Sequence, residues 1–227
     1  MDAAILLKDK FMNKAIIFDL DGTLINSIGG IAYSVNLTRK FYSLPPQPDK
    51  LIESFIGNGI RKLMERSLAR DENSTVALDD AVKTMSELYA ENPLAETFLY
   101  PGVKETLVTL AQNNWHLAVV TNKPQNASEK ILQGLGIREL FDENIGGGGD
   151  FPLKPEPDAL HYLIKKYNID PENCFVAGDN YTDLDFAANG NVKSIFCTWG
   201  FGHPGSAPAT FTINSFPEIL GTVATEQ

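Results

Sequence analysis

Two carboxylates lie two residues apart in the segment 18–22, which reads Phe-Asp-Leu-Asp-Gly and directly follows the apolar run Ala-Ile-Ile at 15–17. The apolar run predicts a buried strand, and side chains two positions apart lie on the same side of a strand. Two anions crowded where apolar neighbours exclude water are costly unless a cation lies between them. Parallel sheets also place their ligands outside the carboxyl ends of strands. Asp19 and Asp21 therefore predict a metal-assisted reaction on an anionic substrate.

Other polar side chains follow later strand-like segments. Thr121 and Asn122 close the second predicted strand, and their hydroxyl and amide groups suit phosphoryl oxygens. Lys154 is followed by prolines at positions 155 and 157, which restrict the backbone. A lysine that is held rigidly in this way is a good point charge for a phosphate. Asp179 ends a further strand, and Asp183 lies in the helix that opens after it. Helix capping and, for Lys154, a surface position remain the alternative explanations.

Strand-like and helical segments alternate along most of the chain. This alternation predicts an α/β fold, with a doubly wound parallel sheet (a Rossmann-like core) and helices on both faces. The predicted strands are 15–19, 116–121, 174–179, 192–198 and a weaker 210–213, and the predicted helices are 102–113, 125–135, 157–167 and 182–189.

One long stretch breaks this rhythm, because residues 27–95 contain four helical segments and no convincing strand. We therefore predict a core domain of residues 1–25 and 96–227 and an inserted helical cap domain of residues 26–95. The cap would lie over the carboxyl end of the first strand. The four glycines at 146–149 are interpreted as part of a loop.

Composition limits the partners and the compartment. The 227 residues carry 29 acidic and 19 basic side chains, a net charge of −10, which disfavours nucleic acid as a partner. No apolar run is long enough to span a bilayer, so no membrane partner is expected. Cys174 and Cys197 lie in apolar, strand-like settings and are predicted to be free thiols. With no signal-peptide pattern at the N-terminus, we expect a cytoplasmic protein.

Taken together, these motifs resemble those of the haloacid dehalogenase superfamily, and within it the chain is similar to the phosphoglycolate phosphatases. The resemblance runs from Lys14 to about Val223, and its motifs follow one another at the ends of successive strands. They are Asp-Leu-Asp-Gly-Thr at 19–23, Thr-Asn-Lys-Pro at 121–124, Lys-Pro at 154–155, and Gly-Asp at 178–179 with Asp183.

The resemblance implies catalytic roles for four of these side chains. Asp19 would be the nucleophile, forming an aspartyl-phosphate that water then hydrolyses. Asp21 would protonate the leaving oxygen and later activate that water. Thr121 and Lys154 would hold the transferring phosphoryl group, with Asn122 close by. Two carboxylates can divide attack and proton transfer in this way when displacement is split into two steps.

The resemblance also implies Mg²⁺ as the cofactor. Asp19, the backbone carbonyl of Asp21, and Asp179 would bind the ion, and Asp183 would support its water shell. This set agrees with the preference of Mg²⁺ for one or two carboxylates together with waters and phosphate oxygens.

Four residues of the predicted cap, Gly57, Asn58, Gly59 and Arg61, are candidates for substrate contact on resemblance and flexibility. Arg61 would pair with a substrate carboxylate, as phosphoglycolate requires, unless it is a solvated arginine at a helix start. The predicted partner is a small phosphorylated metabolite, and the chain is expected to be a monomer or homodimer. A β-phosphoglucomutase-like phosphotransferase, a sugar phosphatase, a pyrophosphatase and a catalytically inactive binding protein are the alternatives.

Overall fold

The computed structural model describes residues 13–71 and 75–225. Eight strands are described there: β1 (Asn13–Phe18), β2 (Ile25–Asn26), β3 (Phe98–Leu99), β4 (His116–Pro124), β5 (Glu143–Gly147), β6 (Ile169–Gly178), β7 (Lys193–Cys197) and β8 (Phe211–Ile213). The described helices are α1 (Ile28–Phe41), α2 (Asp49–Glu53), α3 (Gly59–Leu68), α4 (Leu78–Glu91), α5 (Val103–Gln112), α6 (Gln125–Gly134), α7 (Asp158–Tyr167), α8 (Tyr181–Asn189) and α9 (Glu218–Ala224).

Six of the strands form one parallel sheet in the order β5-β4-β1-β6-β7-β8. Side chains alternate between its faces, so Ile16 and Phe18 of β1 pack into one apolar cluster while Ala15 and Ile17 pack into another. Helices α5, α6 and α9 cover the first face, and α7 and α8 cover the second. The predicted doubly wound fold is confirmed.

The strand β5 corrects the interpretation of the glycine run as a loop. Gly146 and Gly147 belong to this strand, which pairs with β4. A Cβ atom at Gly146 would lie 2.5 Å from the Cα of Gln125, and one at Gly147 would lie 2.8 Å from the backbone oxygen of Asn122. These glycines therefore permit close approach of two backbones. Helix α9 and the short strands β2 and β3 also went unpredicted.

Helices α1 to α4 occupy the stretch that the sequence marked as helical. They share an apolar cluster that includes Val35, Ile52, Met64 and Met85, and Ala127 of α6 packs against the same cluster. The antiparallel pair β2–β3 joins the two places where the chain leaves and re-enters the parallel sheet region. The domain boundaries themselves stay a prediction.

The structure also bears on membrane spans and on the two cysteines. Among the described helices, none has both the length and the apolarity needed to cross a bilayer. Cys174 and Cys197 are free thiols, and both are buried in the sheet.

Candidate active site

The candidate site lies at the carboxyl edge of the sheet, where three neighbouring strands end. Asp19 follows β1, Thr121 lies near the end of β4, and Asp179 follows β6. Strand β1 lies between β4 and β6, so the parallel register brings these side chains to one place.

Three carboxylates form a cluster at this edge. Oxygens of Asp19, Asp179 and Asp183 all lie within 4.8 Å of one another. Asp179 also accepts backbone N–H groups of Phe201 at 3.0 Å and Gly202 at 2.7 Å, which fix its orientation. The predicted metal ligands Asp19, Asp179 and Asp183 are therefore together, whereas the carboxylate of Asp21 lies outside this cluster.

Burial makes this concentration of negative charge unfavourable. It raises the pKa of Asp19 to about 6, although Lys154 opposes the shift, and it raises the pKa of Asp179 well above its usual value. The neighbouring carboxylates add to both shifts. A buried cluster of oxygen donors with excess negative charge is the chemistry that Mg²⁺ requires, so these residues fit that ion.

Lys154 bridges two of the carboxylates. Its Nζ donates to Asp19 Oδ1 at 2.8 Å and to Asp183 Oδ1 at 2.7 Å, and its side chain is only 3% exposed. Burial alone would lower the pKa of Lys154, but the two carboxylates outweigh burial and raise it. The alternative of a solvated surface lysine is wrong.

Asp183 is held at the start of α8 by a capping box. Its Oδ2 accepts a hydrogen bond from the backbone N–H of Asn180 at 3.0 Å. The side-chain Oδ1 of Asn180 in turn accepts from the backbone N–H of Thr182 at 3.4 Å. The capping explanation is therefore correct for Asp183 but incomplete. One oxygen of Asp183 accepts from the backbone at the helix start, and the other accepts from the Lys154 ammonium. Asp183 is therefore suited to holding Lys154 in position.

Asn122 and Thr121 line the cavity above the carboxylates. Asn122 holds the chain at Lys154, since its Oδ1 accepts the N–H of Lys154 at 2.8 Å and its Nδ2 donates to the Lys154 carbonyl at 3.1 Å. The same Nδ2 donates to the carbonyl of Gly57 at 3.1 Å. Asn122 thus connects the lysine loop with the segment between α2 and α3.

Asp21 has partners of its own. Its Oδ1 accepts from Lys123 Nζ at 2.8 Å and from the hydroxyl of Ser27. Sequence reasoning placed Lys123 in a motif but gave it no role, because spacing does not show which carboxylate a lysine meets. Burial by itself would lower the pKa of Lys123, but Asp21 outweighs burial and raises it.

The cavity over the site has a polar floor and a largely apolar roof. The floor comes from the strand ends, and the roof includes Ile31, Ile60, Leu63 and Met85 of the helical segment. Gly57 and Gly59 line the cavity as well. A small substrate would therefore be enclosed by apolar side chains that exclude water.

The other two predicted cap contacts lie elsewhere. The side chain of Asn58 donates to the hydroxyl of Tyr181 at 2.8 Å and accepts from Arg66 at 2.7 Å. The guanidinium of Arg61 pairs with Asp79, and these side chains are 62% and 81% exposed. Neither Asn58 nor Arg61 lines the cavity, and their contact with a substrate stays a prediction.

This sheet order, with carboxylates gathered at the strand ends under helices inserted after β1, defines a doubly wound, Rossmann-like α/β core with an acidic site at its carboxyl edge. The family model for haloacid dehalogenase-like hydrolases matches residues 13–191. The chain belongs to that family, which confirms the resemblance seen in the sequence and the prediction that it is an enzyme of the hydrolase class.

Known proteins of similar length match nearly the whole chain. A phosphoglycolate phosphatase of Haemophilus influenzae (strain 86-028NP) is 38% identical over 196 residues, covering 84% of this chain and 88% of that protein. One of Vibrio vulnificus (strain YJ016) is 31% identical, covering 92% and 96%. The crystal structure of a predicted phosphoglycolate phosphatase from Haemophilus somnus 129pt has a TM-score of 0.86 and 31% identity, covering 94% and 99%.

Proposed function

We propose that this protein is a Mg²⁺-dependent phosphatase that hydrolyses a small phosphomonoester, 2-phosphoglycolate or a close relative, through an aspartyl-phosphate on Asp19. The observation that carries the proposal is the position of Asp19. Its carboxylate lies in the acidic cluster, 2.8 Å from Lys154 Nζ, and faces the cavity that Asp21 also lines. The names of the relatives support the substrate.

In the first step, a carboxylate oxygen of Asp19 attacks phosphorus and forms a new P–O bond, while the bond from phosphorus to the leaving oxygen breaks. Asp21, which lies outside the acidic cluster, gives its proton to that oxygen. Lys154 stabilises the charge on the transferring group together with the hydroxyl of Thr121. Such donors act strongly in a buried site because they need no reorganisation.

In the second step, Asp21 takes a proton from a water molecule whose oxygen attacks the same phosphorus. The bond between phosphorus and Asp19 breaks, which releases phosphate and restores the Asp19 carboxylate. Asp21 therefore acts first as an acid and then as a base. Its contacts with Lys123 and Ser27 hold the carboxyl group in place for both transfers.

Mg²⁺ would be held by Asp19 and Asp179, and Asp183 would orient the water and lysine around it. When bound, the ion supplies neutralisation of the phosphoryl oxygens, which lowers their repulsion toward the attacking carboxylate. The residues that surround it keep the nucleophile and the phosphoryl group aligned.

Metal-dependent release of phosphate from p-nitrophenyl phosphate and from a panel of small phosphomonoesters tests the proposal. We expect turnover with Mg²⁺, loss of turnover in Asp19→Asn, and the highest kcat/KM on 2-phosphoglycolate. Isomerisation of a hexose 1-phosphate without net phosphate release would favour a mutase. Higher kcat/KM on sugar phosphates or pyrophosphate would favour those activities, and no turnover with any metal would favour a binding protein.

A further inference from the structure

Tyr89 is a buried polar side chain whose hydroxyl has no hydrogen-bond partner among the described residues. It lies on α4, only 4% exposed, and lines the cavity above the strand ends. A buried hydroxyl without a partner is unfavourable, and such groups are rare in folded proteins. An unpaired O–H that lines a substrate cavity therefore points to a ligand that completes it.

Lys123 lies over the ring of Tyr89. Its Nζ is 4.7 Å from the centre of the Tyr89 ring, and the side chain is 4% exposed. An ammonium group has three N–H donors. Asp21 Oδ1 accepts one of them at 2.8 Å, and the ring provides a cation–π contact. Donor capacity therefore remains on Lys123 for a ligand in the cavity.

The surroundings select the ligand group. Among the described residues that line this cavity, Lys123 alone carries a positive charge. The roof of the cavity is largely apolar. An ammonium and a phenol both donate, and an ionised carboxylate only accepts. A carboxylate placed here would be paired with a buried charge and would satisfy the Tyr89 hydroxyl at the same time.

The position also agrees with the length of the substrate. Lys123 contacts Asp21, the group that would protonate the leaving oxygen. In 2-phosphoglycolate one methylene carbon separates that oxygen from the carboxylate. The carboxylate of such a substrate would therefore lie close to the leaving oxygen, on the side of the cavity that Lys123 occupies.

We propose that Lys123 and Tyr89 bind the carboxylate of the substrate and so select short phosphorylated carboxylic acids over uncharged phosphomonoesters. This inference rests on the proposed phosphatase function. It assigns to Lys123 and Tyr89 the selectivity that the sequence had assigned to Arg61.

The test compares kcat/KM for 2-phosphoglycolate with kcat/KM for 2-hydroxyethyl phosphate, in which a hydroxymethyl group replaces the carboxylate. In the wild type the ratio should favour 2-phosphoglycolate. Tyr89→Phe should lower this ratio roughly 10-fold, the typical loss for one hydrogen bond to a charged group. Lys123→Met should lower it further. Since Lys123 also holds Asp21, its variant should slow both substrates, and only the ratio reports on the carboxylate.

Tyr42→Phe is the matched control, because the Tyr42 hydroxyl pairs with Thr84 among the cap helices and does not line the cavity. It should leave the ratio unchanged. Tyr89→Phe should not lower the thermal midpoint, since its hydroxyl has no partner to lose among the described residues.

An unchanged ratio in Tyr89→Phe and Lys123→Met, or equal losses on both substrates, would overturn the inference. So would a wild-type enzyme that hydrolyses 2-hydroxyethyl phosphate as well as 2-phosphoglycolate, although the phosphatase function would then stand. A wild type that hydrolyses no phosphomonoester would instead overturn the proposed function itself.

Discussion

Asn122 and Lys154 are joined by two reciprocal hydrogen bonds, although 32 residues separate them in the chain. The Asn122 side chain accepts from the backbone N–H of Lys154 and donates to its backbone carbonyl, at 2.8 Å and 3.1 Å. The amide therefore acts on the backbone of the lysine loop as a neighbouring strand would. It fixes the loop from which the Lys154 ammonium reaches Asp19.

Replacing Asn122 tests whether this fixation matters for catalysis. Asn122→Ala should lower the free energy of unfolding by about 1–3 kcal/mol, because it leaves backbone groups of the loop unpaired. It should also lower kcat, since Lys154 loses its position. Asn36→Ala is the control, because Asn36 makes the same two bonds to the backbone of Gln47 within the cap helices. Equal losses of kcat in both variants would contradict the account.

Arg61 provides a prediction of no effect. Its guanidinium pairs with Asp79 at the exposed surface, and such pairs contribute little. Arg61→Ala should therefore change kcat/KM for 2-phosphoglycolate by less than about 2-fold, with a loss of stability below about 1 kcal/mol. A large rise in KM confined to 2-phosphoglycolate would show that Arg61 reaches the substrate in the complex.

Asp179 should couple metal binding to stability. Adding Mg²⁺ to the metal-free protein should raise the thermal midpoint, since an ion that binds only the folded state stabilises it. Asp179→Asn should reduce that rise and should stabilise the metal-free protein, because it removes one of three crowded carboxylates. Asp79→Asn makes the same change of charge at a position that is 81% exposed and serves as control. An undiminished Mg²⁺ response in Asp179→Asn would remove Asp179 from the metal site.

Asp19 should give the metal-free protein a distinctive pH dependence. Its pKa rises from 3.8 to about 6 on folding, mainly through burial. The folded protein therefore binds more protons than the unfolded chain in that interval. This group stabilises the fold below about pH 4, and that contribution is lost as the pH rises through about 6. Urea denaturation with a chelator should show this loss in the wild type relative to Asp19→Asn, and parallel curves would contradict it.

The sequence predicted the sheet and the strand-end residues because both depend on local patterns. Apolar runs located β1, β4, β6 and β7 to within a few residues, apart from the first five residues of β6. Strand β5 escaped because its glycines look like a flexible loop, and their need for close backbone approach appears only in three dimensions. Asp19 lies at the carboxyl end of β1, as the sequence predicted, and its role as the nucleophile stays a proposal.

Contacts between side chains that are far apart in the chain could not be predicted from the sequence. The contact of Lys123 with Asp21 spans 102 residues, and Tyr89 is one of the buried residues of α4, whose position at the cavity no spacing marks. Arg61 was a candidate for substrate contact on resemblance and flexibility, whereas in the structure its guanidinium pairs with Asp79. Cap residues depend on helix packing, which motif spacing does not encode.

Chemical trapping of the phosphorylated carboxylate tests the central claim most directly. Wild-type and Asp21→Asn protein are mixed with p-nitrophenyl phosphate and Mg²⁺, quenched in acid and reduced with borohydride, which converts an acyl phosphate to homoserine. The nitrophenolate leaves without a proton, so Asp21→Asn should still form the intermediate but hydrolyse it slowly. We predict homoserine at position 19, more abundant in Asp21→Asn. Turnover with no modification at position 19 in either protein, or with modification of another carboxylate, would contradict the account.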